Sequence, residues 1–95
     1  MVTFYVYILE CSDGSYYTGH TDNMDARMSQ HNLGLFTTCY TYTRRPLKVL
    51  YVAEFGMRDQ AFNAERQIKG WTRKKKRALV NGDFQLIKYL AKRKK

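Results

Sequence analysis

The stretch Phe4 to Glu10 alternates and is rich in aromatic and β-branched residues, and it runs through Ser12-Asp13-Gly14-Ser15 into a second such run, Tyr16 to His20. Alternation over so few residues fits a half-buried strand, and an Asp-Gly pair between two such runs marks a hairpin. Side chains alternate across a strand, so Tyr7 and Tyr17 share a face only if the loop between the strands has an odd number of residues. A two-residue Asp13-Gly14 turn would put them on opposite faces. A three-residue loop, Ser12-Asp13-Gly14 with Gly14 left-handed, pairs Cys11 with Ser15, Leu9 with Tyr17 and Tyr7 with Gly19, and both tyrosines then point the same way. Gly19 would leave open space beside Tyr7, as a site approached by a phosphate backbone needs. Tyrosine is also a favoured strand residue, and packing is the plain alternative for Tyr5, Tyr16 and Tyr51.

Punctuation predicts the rest. Asp22 caps a helix over about Asn23 to Leu33, with Asp25 in its first turn and Gly34 beyond its end. Thr37 to Arg45 lacks helical periodicity and reads as loop, and Leu47 to Phe55, after Pro46, reads as a third strand. Asp59 caps a second helix ending at Lys69 and Gly70. Thr72 caps a third to about Val80, stopped by Asn81-Gly82, and Asp83 opens a last helix toward the basic tail. The expected fold class is α+β, a three-stranded, mainly antiparallel sheet flanked by helices. Ninety-five residues with 44% hydrophobic content make one domain over residues 1–95, with a basic helical part from about residue 72.

Charge is divided unevenly. Met1 to Glu65 carries five Lys/Arg against seven acids, whereas Arg66 to Lys95 carries twelve against Asp83 alone, so that the formal +9 comes wholly from the last third. That part includes Arg73-Lys74-Lys75-Lys76-Arg77 and Lys92-Arg93-Lys94-Lys95. A polyanion is the natural partner, and nucleic acid fits better than a solvated helix face or an anionic membrane, since the tail lacks a bulky inserting face. The opening apolar run is too short to span a bilayer and has no basic leader, so the expected compartment is the cytoplasm. Cys11 and Cys39 are in no metal-ligand spacing and are expected to be reduced and structural.

On the first helix Met24, Arg27, Met28 and His31 follow the i, i+3, i+4, i+7 pattern, so a guanidinium and an imidazole share the core-facing stripe. Arg27 snorkelling to the rim and His31 as a hydrogen-bonded core histidine are the plain alternatives. The second helix repeats the stripe with Ala61, Phe62, Glu65 and Ile68. Glu65 can pair with Lys69 one turn on; if it faces the sheet, Arg27 or a divalent ion would satisfy it. Tyrosine, arginine and histidine within one supersecondary unit can supply a proton acceptor, a phosphate clamp and a hydrogen-bond donor, which is the chemistry that phosphodiester hydrolysis requires.

Tyr5-Val6-Tyr7 and Tyr17-Thr18-Gly19, then Arg27 with His31 four residues on, and later Glu65 on a helix, resemble the GIY-YIG endonuclease domain family over nearly the whole chain. The resemblance is closest to its small stand-alone bacterial members, through Asp13-Gly14-Ser15, His31-Asn32 with Gly34, Arg45-Pro46 and Ile68-Lys69-Gly70-Trp71. Tyr5 stands in place of the glycine of the first signature and Thr18 in place of the isoleucine of the second. Where some members have a second histidine, this loop offers Tyr40 and Tyr42, which leaves the role of Tyr40 open. Asn81 follows Glu65 at about the distance of a supporting asparagine in some relatives, and is equally an ordinary helix stop.

The resemblance implies a DNA endonuclease in which Tyr7, Tyr17, Arg27, His31 and Glu65 are catalytic. Glu65 would hold one Mg²⁺ or Mn²⁺, Tyr7 or Tyr17 would take a proton from the attacking water, and Arg27 would stabilise phosphorane charge while His31 hydrogen-bonds the phosphate or a tyrosine. Arg44, Arg45, Lys69, Arg73, Lys74, Lys75, Lys76 and Arg77 would hold the flanking DNA through phosphates, with structure-directed or weakly sequence-specific cutting in repair or recombination. A protein partner and the oligomeric state stay open. The competing class is a non-catalytic nucleic-acid-binding module.

Overall fold

Two β-hairpin strands joined by the tight turn at Gly14 organise the molecule. The computed structural model describes residues 2–35 and 39–93, with side chains through residue 90. The elements are β1 (Phe4–Glu10), β2 (Tyr16–Thr21), α1 (Met24–Asn32), a 3₁₀ turn (Tyr42–Arg44), β3 (Lys48–Phe55), α2 (Arg58–Lys69), α3 (Arg73–Val80) and α4 (Phe84–Arg93). The sheet is antiparallel with β1 in the centre, in the order β2-β1-β3. This is the α+β architecture expected from the pattern. The beginning of the expected Thr37–Arg45 loop and the tail residues Lys94 and Lys95 lie outside the described residues.

The hairpin has the three-residue loop. Cys11 N–H donates to Ser15 O at 2.8 Å, Gly14 N–H donates to Cys11 O at 2.9 Å, and Gly14 takes φ 84°. Leu9 therefore pairs with Tyr17 and Tyr7 with Gly19. Odd-numbered residues of β1 and β2 share one face, even-numbered residues the other. The even face carries the core: Val6 and Ile8 pack with Ala61 and Ile68 of α2 and Leu79 of α3, flanked by Phe4, Tyr51, Phe55 and Trp71. The odd face, with Tyr5, Tyr7, Leu9, Tyr17 and Gly19, receives His31 of α1.

Two caps differ from expectation. Thr21 Oγ1 accepts from Asn23 N–H at 3.1 Å and donates to Asn23 O at 3.3 Å, a turn that carries the chain one residue past Asp22. Asn23 is thus the cap of α1, its side-chain oxygen accepting from Ala26 N–H at 3.0 Å. On α2 the cap is the extended Met57, without a side-chain bond, and Asp59 lies inside the first turn, where its charge favours the helix N-terminus. The expected loop contains the 3₁₀ turn Tyr42–Arg44, and Phe62 of the α2 stripe is exposed rather than buried. Thr72 caps α3 and Asn81 ends it, followed by Gly82 at φ 73°.

Candidate active site

Tyr7, Tyr17, Arg27 and His31 converge on the odd face of the sheet. Tyr7 is fully buried, and its hydroxyl is hydrogen-bonded to His31 Nε2 at 3.1 Å. The Tyr17 ring lies 6.4 Å from that of Tyr7 and 5.4 Å, edge-on, from that of His31. Gly19 is the floor. A Cβ added there would stand 2.5 Å from the Tyr7 hydroxyl oxygen and 2.6 Å from Cζ, so the space expected to be open beside Tyr7 is filled by the phenol itself.

These neighbours set the proton affinities. Burial raises the Tyr7 phenol, while Arg27, by charge and hydrogen bond, pulls it back toward ionisation. Tyr17 is raised further, by burial first and then by its hydrogen bond to Cys39, and its main influences all act in that direction. Burial and then the Arg27 charge lower His31, which favours the neutral imidazole at pH 7.

The segment after α1 encloses this cluster. Thr41, buried like His31, places Oγ1 3.0 Å from His31 Nδ1 and donates to Cys39 Sγ at 3.4 Å. Burial alone would raise the Cys39 thiol, but hydrogen bonds from Thr41, Tyr17 and the Thr41 and Tyr40 backbone outweigh it and lower it. Cys39 is free, as expected, yet it belongs to this cluster. Tyr40 stacks on Tyr17 at 6.5 Å and 17°, and Arg44 covers the Tyr40 ring at 3.8 Å. Arg44 also donates to Asp13 at 3.1 Å and to Tyr40 O at 2.8 Å, tying this segment to the hairpin turn. Arg45 donates to Tyr42 O at 2.9 Å and Asn32 O at 3.3 Å. Arg44 and Arg45, two of the four arginines expected to grip phosphate, thus have partners inside the protein.

Glu65 does not share the face of the tyrosines. It is buried on α2, which packs on the even face, and Oε1 accepts from His20 Nδ1 at 2.6 Å while Oε2 accepts from Lys69 Nζ at 2.9 Å. The Lys69 pairing expected from the one-turn spacing is present, and His20 takes the other oxygen. Because β2 is an edge strand, groups on the two faces approach one another around it, and the Glu65 charge is near enough to raise both phenols. His20 was not singled out by its sequence: only strand alternation, which puts it on the α2 side, and the Glu65 stripe hint at the pairing. Thr41 and Cys39 carry no sequence signal, since their loop has no period.

One carboxylate is a meagre metal site by itself. Among the described residues no three His, Cys, Asp or Glu side chains form a metal-holding group. Each Glu65 oxygen accepts one N–H from the pairings among the described residues, His20 and Lys69, and an sp² oxygen has a second lone pair. A Mg²⁺-type ion that draws most of its oxygen ligands from water and phosphate fits this donor set.

The basic helices stand beside the start of β2. Arg73 donates to Gly14 O at 2.6 Å and covers the Tyr16 ring at 4.2 Å. With Ser15, Tyr16 and Lys76 it lines a cleft of about 230 Å³. Lys74 and Arg77 are exposed, and Lys75 lies over Trp71 at 4.9 Å. Among the described residues no helix is long and apolar enough to cross a membrane.

Comparison with known proteins gives the family and the fold. The UPF0213 protein SH2523 of Staphylococcus haemolyticus is 40% identical over 80 residues, 84% of this chain and 96% of its own. The solution NMR structure of the UPF0213 protein BH0048 from Bacillus halodurans superposes with a TM-score of 0.56 at 39% identity, over 83% of each chain. That of EF2693 from E. faecalis gives 0.61 at 36% identity, over 90% of each. The model of the GIY-YIG catalytic domain matches residues 3–78, the span that holds the hairpin, α1 and Glu65, and the chain belongs to that family.

Proposed function

We propose that this chain is a metal-dependent endonuclease that hydrolyses DNA phosphodiester bonds, structure-directed or weakly sequence-specific, and working in DNA repair or recombination. The observation that carries this reading is a buried phenol with a buried imidazole on its hydroxyl and a guanidinium beside it, burial and then that guanidinium favouring the neutral imidazole. A phenol near pKa 10 is a poor base unless its own proton has somewhere to go and the phenolate has a cation near it. Tyr7 has both. Tyr17 donates instead to the Cys39 sulfur, a weaker acceptor than an imidazole nitrogen, and its main influences all raise it, so Tyr7 is the proton acceptor and Tyr17 walls the site and carries Tyr40.

Water gives a proton to the Tyr7 oxygen as the phenolic proton passes to His31 Nε2, and the hydroxide oxygen bonds phosphorus. The bond to the 3′ oxygen breaks, and that oxygen takes a proton from solvent. Arg27 holds nonbridging oxygens as negative charge builds on them. Tyr7 is fully covered, so a phosphate must first draw covering side chains outward, and the half-buried Arg27 is the one its charge would move. Glu65 would hold the ion, which when bound supplies charge to the phosphate and leaving oxygen. His20 and Lys69 keep that carboxylate in place, and Lys69, half exposed, would shift to a phosphate when DNA arrives. Exposed Lys74 and Arg77 would bind the flanking backbone.

The test is a panel of linear, nicked, branched, flap and single-stranded DNA, with Mg²⁺, Mn²⁺ or chelator, using wild type, Arg27→Ala and Glu65→Gln. Metal-dependent cuts that both variants lose while still binding DNA support the proposal. Binding to every substrate with no cut under any metal would leave a nucleic-acid-binding module instead.

A further inference from the structure

The Tyr7 to His31 transfer works in one direction only if Nε2 carries a lone pair, and the neighbours of the other ring nitrogen decide that. A neutral histidine has one N–H, and its position follows from the hydrogen bonds made by both nitrogens. Nδ1 faces Thr41 Oγ1 at 3.0 Å. Thr41 has a single hydroxyl hydrogen, and Cys39 Sγ, 3.4 Å away, takes it. The sulfur is an acceptor: Tyr17 and the backbone amides of Tyr40 and Thr41 also donate to it. With its hydrogen committed there, Thr41 Oγ1 can only accept from His31, which puts the imidazole proton on Nδ1 and the lone pair on Nε2, facing the Tyr7 hydroxyl. Thr41 and His31 are at most 2% exposed, so water does not compete for these positions.

We propose that Thr41 is a positioning residue which, oriented by Cys39, holds His31 in the Nδ1–H form so that Nε2 accepts the Tyr7 proton. This rests on the nuclease reading for its purpose but not for its geometry. No group is consumed: after the transfer the imidazolium keeps its Nδ1–H on Thr41 while Nε2–H faces the Tyr7 oxygen, which now carries the proton taken from water, and loss of the Nε2 proton to solvent resets the site. The same arrangement accounts for a cysteine whose hydrogen-bond partners among the described residues, Thr41, Tyr17 and the Tyr40 backbone, lie in this cluster. Replacing the sulfur frees the threonine hydrogen to turn toward Nδ1, which pushes the proton to Nε2 and aims a donor, instead of an acceptor, at Tyr7.

The experiment is a two-bond ¹⁵N–¹H correlation spectrum of the full chain labelled at its two histidines, with His20→Gln for assignment, near pH 8. The proposal expects His31 protonated at Nδ1 in wild type and in Thr41→Ser, and a shift toward the Nε2–H form in Cys39→Ala. The shifted variant is expected to lose about tenfold or more in kcat with KM nearly unchanged, since a base with its proton on the wrong nitrogen binds substrate but does not take the proton. An Nε2–H His31 in wild type, or a Cys39→Ala spectrum identical to wild type, would overturn it. The tautomer is read without substrate, so a chain with the expected spectrum that cuts no DNA sinks the nuclease reading alone. A chain that cuts DNA with the other tautomer sinks this inference alone.

Discussion

Gly19→Ala is the sharpest mechanical test of the site, because a single methyl group meets the one phenol on which the chemistry depends. The new Cβ would lie 2.5 Å from the Tyr7 oxygen, 2.6 Å from Cζ and 3.1 Å from Cε1. Ordinary contact needs about 3.5 Å or more, so the ring end must withdraw by roughly 1 Å. The end of a surface side chain would give way at little cost, but Tyr7 has 0% exposure and its hydroxyl is held 3.1 Å from His31. Crowding a filled core costs about 1–3 kcal/mol, equivalent to a fall in Tm of roughly 5–20 °C for a domain of this size. A shift of about 1 Å at a reacting group costs on the order of 100-fold in rate. Gly19 has no positive φ, so backbone strain does not contribute and the effect is steric. Urea denaturation and single-turnover cleavage measure the two consequences. In a double-mutant cycle, Tyr7→Val should recover most of the stability lost in Gly19→Ala. Wild-type melting and cleavage in Gly19→Ala would show that the phenol does not lie on Gly19, and the mechanism built on its position would go with it.

Arg27→Ala should slow cleavage by about 100- to 1,000-fold, and the loss should fall on kcat because the guanidinium acts on charge that develops in the transition state; a change confined to KM contradicts this. Stability should depend on pH through His31. Its folded pKa is lowered by burial and Arg27, so the unfolded chain binds the extra proton first: the contribution is complete above the unfolded value near 6.5 and is lost as pH falls toward the folded one. Urea midpoints from pH 8 to pH 5 should fall more steeply for wild type than for His31→Gln, and parallel curves would show no such linkage. Removing exposed Lys74 and Arg77 together should weaken DNA binding alike for all sequences and flatten its salt dependence by up to about two charges, read by anisotropy across a salt series; an unchanged slope would place the DNA elsewhere.

The hairpin register was legible because it follows from counting: odd loop length, alternation and a glycine able to take positive φ leave few pairings, and Tyr7 indeed faces Gly19. The α3 cap at Thr72 and stop at Asn81 were equally local. The α1 cap was not, because Thr21 at the end of β2 decides whether Asp22 or Asn23 turns the chain. Glu65 could be marked as a carboxylate in an apolar stripe, but its partner could not, since His20 lies 45 residues away in sequence. The arginines that sequence alone treats as free charge, Arg44 and Arg45, donate to carbonyls of their own segment.

By itself the amino-acid order determined which residues share a strand face or a helix stripe, because those follow from periods of two and 3.6 along a single element. It also determined where the positive charge accumulates. Only tertiary packing decided that the Tyr7 ring would fill the space over Gly19, that Thr41 and Cys39 would close on His31, and that Glu65 would take His20 and Lys69 on the far side of the edge strand. Those contacts join elements distant in sequence, and burial leaves each polar group to find its partner among whatever the fold brings within about 3 Å.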